Sequence, residues 1–162
     1  MGQTTRNSRD IKASPKEVYN AFINPSAKEL FQAPGDMTAK VHQFDQRVGG
    51  GYQMSLYYPE SEKKMKGKTT NKEDKFYAKF VEIIPNEKIV EAIEFDTSNT
   101  ELTGQMIMEV TFELIDIGTR VTFLFRNIPK GIRPEDNEAG TISTLEQLAG
   151  YVEEKSELAD KK

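Results

Sequence analysis

The chain has 162 residues, 36% of them hydrophobic and 30% charged, with a net charge of -4 and an isoelectric point near 5.2. That balance fits one soluble globular domain over residues 1–162 and disfavours non-specific binding to nucleic acid. The lack of cysteine excludes disulfides, thiol catalysis and cysteine-ligated metal, and no apolar run approaches the roughly 18 residues of a membrane span.

The amino-terminal stretch from Met1 to Arg6 has no apolar signal-peptide core and places Arg6 where a myristoylation signal wants Ser or Thr. A cytoplasmic location is the simplest expectation. Residues 1–5 read as a frayed tail, and Thr4 to Ala13 as a first strand. Ser14-Pro15-Lys16-Glu17 is a helix start: Ser14 caps, Pro15 has its φ preset for the first turn, and Glu17 completes a capping box. Val18, Tyr19, Phe22 and Ile23 then form an apolar stripe at helical spacing. Asn24-Pro25 stops that helix and starts a second short one, Ser26 to Phe31, before a loop at Gln32-Ala33-Pro34-Gly35.

Residues 37–47 predict a strand ending at Gly49-Gly50-Gly51. Tyr52 to Tyr58 predicts the next, with Tyr52, Met54 and Leu56 on one face. Pro59 to Asn71 carries Lys63, Lys64, Lys66 and Lys68 and reads as a solvated connection. Phe76 to Ile84 and Lys88 to Phe95 are strands, separated by Pro85-Asn86 and followed by a polar turn from Asp96 to Glu101. The clearest alternation runs from Gln105 to Leu114. Met106, Met108, Val110, Phe112 and Leu114 form the buried set, and Ile107, Glu109, Thr111 and Glu113 the wetter one. After Asp116-Ile117-Gly118 the pattern repeats in Val121, Phe123 and Phe125. Short turns between successive strands imply an antiparallel meander. Arg133 to Leu158 predicts a long helix, with Ile142, Leu145, Leu148, Ala149 and Val152 as its apolar stripe. Pro134 suits its first position, and Glu135 and Asp136 the positive end of its dipole. That stripe must bury itself on the sheet, the one large apolar surface available.

The pattern resembles the family of activator-of-heat-shock-protein-90-ATPase-like domains, within the birch-pollen-allergen/START-like (SRPBCC) superfamily. The resemblance covers about residues 8–153. Its segments are Ser14 to Phe22, Asp45 to Tyr52, Glu82 to Val90, Gly118 to Thr122, and Gly140 with Leu145 to Ala149. It implies an α+β helix-grip fold: a curved antiparallel sheet around a long C-terminal helix, two short helices after the first strand, and an elongated cavity between sheet and helix. Two departures stand out. The family usually has tryptophan in the loop after the second short helix, where this chain offers Phe31, and directly after the glycine of the last helix, where it has Thr141. The chain contains no tryptophan.

The candidate chemistry is sparse. Gly49-Gly50-Gly51 precedes a strand, so it reads as a turn or bulge and not a phosphate cradle. Asp45 and Arg47, two apart, are expected to share a strand face and pair. His42, the single histidine, stands two residues before Phe44 and is expected on the same face. It lacks the partners of a metal site. No nucleophile elbow surrounds Ser143. Asp96, Asn99 and Glu101 lack calcium-site spacing. No catalytic set, metal or cofactor is expected.

The leading expectation is therefore binding of a small hydrophobic or amphipathic molecule in the cavity. Its candidate residues are Phe31, Tyr52, Met54, Met106, Met108, Phe112, Phe123, Thr141, Thr144, Leu145 and Leu148. Thr141 and Thr144 either face the cavity or bond back to their own helix. A second reading is a cyclase- or hydrolase-type enzyme using Thr144, His42, Arg47 or Tyr52. A third is a module contacting a chaperone.

Overall fold

The structure, a computed structural model, describes residues 3–33, 36–59 and 73–160, with side chains to 156. The lysine-rich connection and Pro34-Gly35 lie outside the described residues. The element order is β1 (Gln3–Ile11), α1 (Pro15–Phe22), α2 (Pro25–Phe31), β2 (Thr38–Phe44), β3 (Gly51–Tyr57), β4 (Glu73–Ile84), β5 (Lys88–Phe95), β6 (Met106–Ile115), β7 (Gly118–Ile128) and α3 (Pro134–Asp160). A 3-10 turn at Thr100–Leu102 sits in what reads as a polar turn. The seven strands form one antiparallel sheet in the order β1-β7-β6-β5-β4-β3-β2. This is the curved sheet and long C-terminal helix of the helix-grip fold, of class α+β.

Local chemistry sets the element ends. The Ser14 hydroxyl accepts from the Glu17 amide at 3.2 Å, and the Glu17 carboxylate accepts from the Ser14 amide at 3.1 Å. That reciprocal capping box leaves the first turn of α1 satisfied. Asn24 caps α2 by accepting from the Ser26 and Ala27 amides at 3.0 and 3.4 Å. β2 is an edge strand, and Glu29 on α2 accepts the exposed Val41 amide at 2.7 Å. That bond both blunts the edge and fixes α2 over it.

The core lies between the concave sheet face and the helices. Phe22 packs edge-on against Phe31 and Phe112, with ring centroids 5.0 and 5.3 Å away, so α1 and α2 close one end of the sheet. α3 contributes Leu145, Leu148, Ala149 and Val152, all buried.

Two apolar assignments are corrected. Ile142 is 47% exposed while Thr141 is buried. The buried stripe of α3 runs through positions 141, 145, 148 and 152, whose 4-3-4 spacing fits a helix better than a stripe through 142. Leu114 is 75% exposed: it is the last inward position of β6 before the turn to β7, and none of the described residues covers it.

The loop before β3 is also sharper than the sequence suggests. Gly49 has φ +90°, and a Cβ on Gly51 would lie 2.0 Å from the Ala78 carbonyl oxygen. Gly49 is there for its left-handed backbone, and Gly51 for the close passage of β4.

Candidate ligand cleft and a buried polar cluster

A cleft of about 510 Å³ opens between the sheet and the first half of α3, inside the roughly 300–1,000 Å³ usual for small-molecule sites. Its floor is apolar: Phe76 of β4, Ile93 and Phe95 of β5, Met106 and Met108 of β6, and Phe123 and Phe125 of β7. The alternation of each strand delivers these side chains to one face. Its roof is Asp136, Asn137, Ala139, Gly140, Thr141 and Thr144 of α3, so a bulky apolar side chain is lacking where helix and sheet diverge. Polar groups sit at the margins. The Tyr58 hydroxyl donates to Asp74 at 2.9 Å, and burial beside that carboxylate pushes the Tyr58 phenol up. The Thr5 hydroxyl donates to the Asn137 side chain at 2.5 Å, tying β1 to α3.

The candidate residues divide. Met106, Met108, Phe123, Thr141 and Thr144 line the cleft. Phe31, Tyr52, Met54, Phe112, Leu145 and Leu148 lie in the adjoining packed core. Thr141 does both things considered for it: it borders the cleft, and its hydroxyl donates to the Asn137 carbonyl at 2.8 Å.

The side chains named for an enzymatic reading do not converge. A register shift between Val41 and Gln43 turns Val41 and Phe44 inward, so His42 is exposed and does not share the face of Phe44. Arg47 is exposed too and forms a 2.8 Å ion pair with Asp45. The two lie in the loop beyond Phe44, not on a strand face. His42 does touch a serine, with Nε2 2.8 Å from Ser55 Oγ, and the Ser55 hydroxyl donates to Glu73. The connectivity is the reverse of a hydrolase. Serine has one proton, which goes to the carboxylate, so His42 must donate Nε2–H to the serine oxygen and cannot act as its base. Ser55 is also fully buried.

Sequence reasoning missed a second polar cluster, next to the cleft. Lys28 of α2 and Glu91 of β5 are both fully buried, with Nζ 4.0 Å from Oε2. The Tyr52 hydroxyl donates to the other Glu91 oxygen, and Lys28 Nζ lies 4.5 Å from the Tyr52 ring centroid, within cation–π range. Burial pushes the Lys28 ammonium down, opposed by Glu91. Burial pushes the Glu91 carboxyl up, opposed by Lys28 and Tyr52. One signal was available: Ile89-Val90-Glu91-Ala92-Ile93 is an apolar run broken by one carboxylate, which marks a strand buried on both faces.

Residues 12–153 match the sequence model of the family described as Activator of Hsp90 ATPase homolog 1-like protein. The chain belongs to this family. Among solved structures, it is 30% identical to a Chromobacterium violaceum protein, with TM-score 0.82 and coverage of 93% of this chain and 96% of that one. A Rhizobium loti protein is 25% identical, with TM-score 0.72 over 93% and 96% of the two chains. An Aeromonas hydrophila protein described as similar to the same family is 16% identical, with TM-score 0.70 over 95% and 94%; it shares the fold. Among functionally curated proteins, none matches. Among the described residues, no helix is long and apolar enough to cross a membrane, and no cluster of metal-ligating side chains occurs.

Proposed function

We propose that this protein binds one small, mainly apolar molecule in the cleft between the sheet and α3. The observation that carries this reading is the pairing of an apolar floor from four strands with a roof of small and polar residues, Asp136, Asn137, Ala139, Gly140, Thr141 and Thr144. A packed core would fill that space. Met106 and Met108 supply flexible, polarisable walls that adapt to different shapes. Binding draws mainly on apolar area removed from water, about 25 cal/mol per Å², and the polar rim orients the ligand.

The test is a fluorescence titration with the neutral apolar dye N-phenyl-1-naphthylamine. The proposal expects saturable enhancement at one dye per chain. A flat titration contradicts it. A flat titration together with co-purification of a chaperone would favour the chaperone-contact reading of the family name.

A further inference from the structure

Four buried side-chain polar atoms lack a hydrogen-bond partner among the described residues, and three of them are Lys28 Nζ, Glu91 Oε2 and Gln32 Oε1. Native interiors pair such atoms, and a cluster of exceptions marks a missing partner. The proton count fixes what that partner must be. Tyr52 has one proton and gives it to Glu91. Gln32 Oε1, an amide carbonyl oxygen that can only accept, has no donor against it. The cluster offers one unused donor group, the Lys28 ammonium with its three protons, and two unused acceptor atoms, on Glu91 and Gln32.

The cluster adjoins the cleft. Gln32 borders it, as do Met108, the ladder partner of Glu91, and Ile93, two residues along the same strand. The 4.0 Å gap between Lys28 Nζ and Glu91 Oε2 is too long for a direct bond, and an oxygen about 2.8 Å from each would bridge it. We propose that this cluster is the polar anchor of the cleft, completed by an uncharged hydroxyl or primary amide at the buried end of the ligand. Such a group accepts from Lys28 and donates to Glu91, and the second proton of an amide goes to Gln32. A carboxylate would meet Glu91 and the Gln32 carbonyl, and an ammonium would meet Lys28. Access requires the Gln32 side chain to swing from the cleft wall. The inference rests on the cleft being a ligand site.

The experiment is competition against N-phenyl-1-naphthylamine at pH 7 by 4-ethylphenol, 4-ethyltoluene and 4-ethylbenzoate. It uses the full chain, the double variant Lys28→Met/Glu91→Leu and the single variant Gln32→Met. The full chain should bind the phenol about tenfold tighter than the toluene, the scale of one hydrogen bond to a charged group, and should bind the benzoate weakest. The phenol advantage should vanish in the double variant and survive in Gln32→Met, which keeps the charged pair. Equal binding of phenol and toluene by the full chain overturns the anchor and leaves the cleft reading standing. So does a phenol advantage unchanged in the double variant. Absence of dye binding overturns both.

Discussion

The Lys28 ammonium and the Glu91 carboxylate face each other across 4.0 Å with neither side chain reached by solvent. Taking both charges out of water costs several kcal/mol per ion, and a 4.0 Å contact without full hydrogen bonding offsets only part of that. Removing one partner is therefore worse than removing both. Lys28→Met should lower the unfolding free energy by about 3–5 kcal/mol, whereas Lys28→Met/Glu91→Leu, which strands only the Tyr52 hydroxyl, should lose less, about 1–3 kcal/mol. Urea denaturation of the two variants checks this, and equal losses in both would contradict it.

The same pair makes stability depend on pH in a defined direction. The folded pKa of Glu91 is raised above 4.5, so in the window above 4.5 the folded state holds more protons than the unfolded one. Stability is lost as pH rises through that window. The folded pKa of Lys28 is lowered from 10.5, so just below 10.5 the unfolded state holds more protons and stability rises with pH. The wild-type curve minus that of Lys28→Met/Glu91→Leu should therefore fall on the acid side and climb towards 10.5. A flat difference would show that the pair does not titrate with folding.

Gly51 and Gly49 separate two reasons for a glycine. Gly51→Ala drives a Cβ to 2.0 Å from the Ala78 carbonyl, whereas a Cβ on Gly49 meets nothing within 4 Å. Gly49→Ala is penalised only through its φ of +90°, by roughly 1–2 kcal/mol. Gly51→Ala forces β3 and β4 apart and should cost more, about 3 kcal/mol or loss of folding. Thermal melts of the two variants give the order, and a larger loss at Gly49 would contradict it.

Thr141 sits in the roof of the cleft, and the chain has no tryptophan of its own. Thr141→Trp should place an indole in the space a ligand would take. It should weaken N-phenyl-1-naphthylamine binding at least about tenfold, the scale of displacing one buried aromatic-sized contact. Energy transfer from the introduced indole to residual dye reports proximity in the same titration. Unchanged affinity would show that this end of α3 does not border the site.

The strand pattern was legible because alternation is a local property: Met106, Met108, Val110 and Phe112 each point inward as their spacing demands. The helix starts at Ser14 and Asn24 were legible because capping chemistry is spelled out within a few residues. Leu114 and Ile142 went astray because local pattern does not say where the covering elements stop. For Ile142, two threonines with small methyl-bearing side chains occupy the buried face that an apolar count assigns to isoleucine. His42 turned outward because a bulge shifts the two-residue period. The buried pair was beyond local reading, since a charge is presumed solvated until a distant partner is known. Lys28 and Glu91 meet only once α2 docks over the sheet.

The central claim, a ligand cleft roofed by α3, is tested most directly by methyl NMR of the protein labelled at its six methionines, titrated with N-phenyl-1-naphthylamine. Met106 and Met108 line the cleft, and Met54 lies fully buried in the adjoining core. The account predicts large, saturable shifts of the Met106 and Met108 methyls with Met54 little moved. No shift at Met106 and Met108 at saturating dye, or equal shifts at all three, would contradict it.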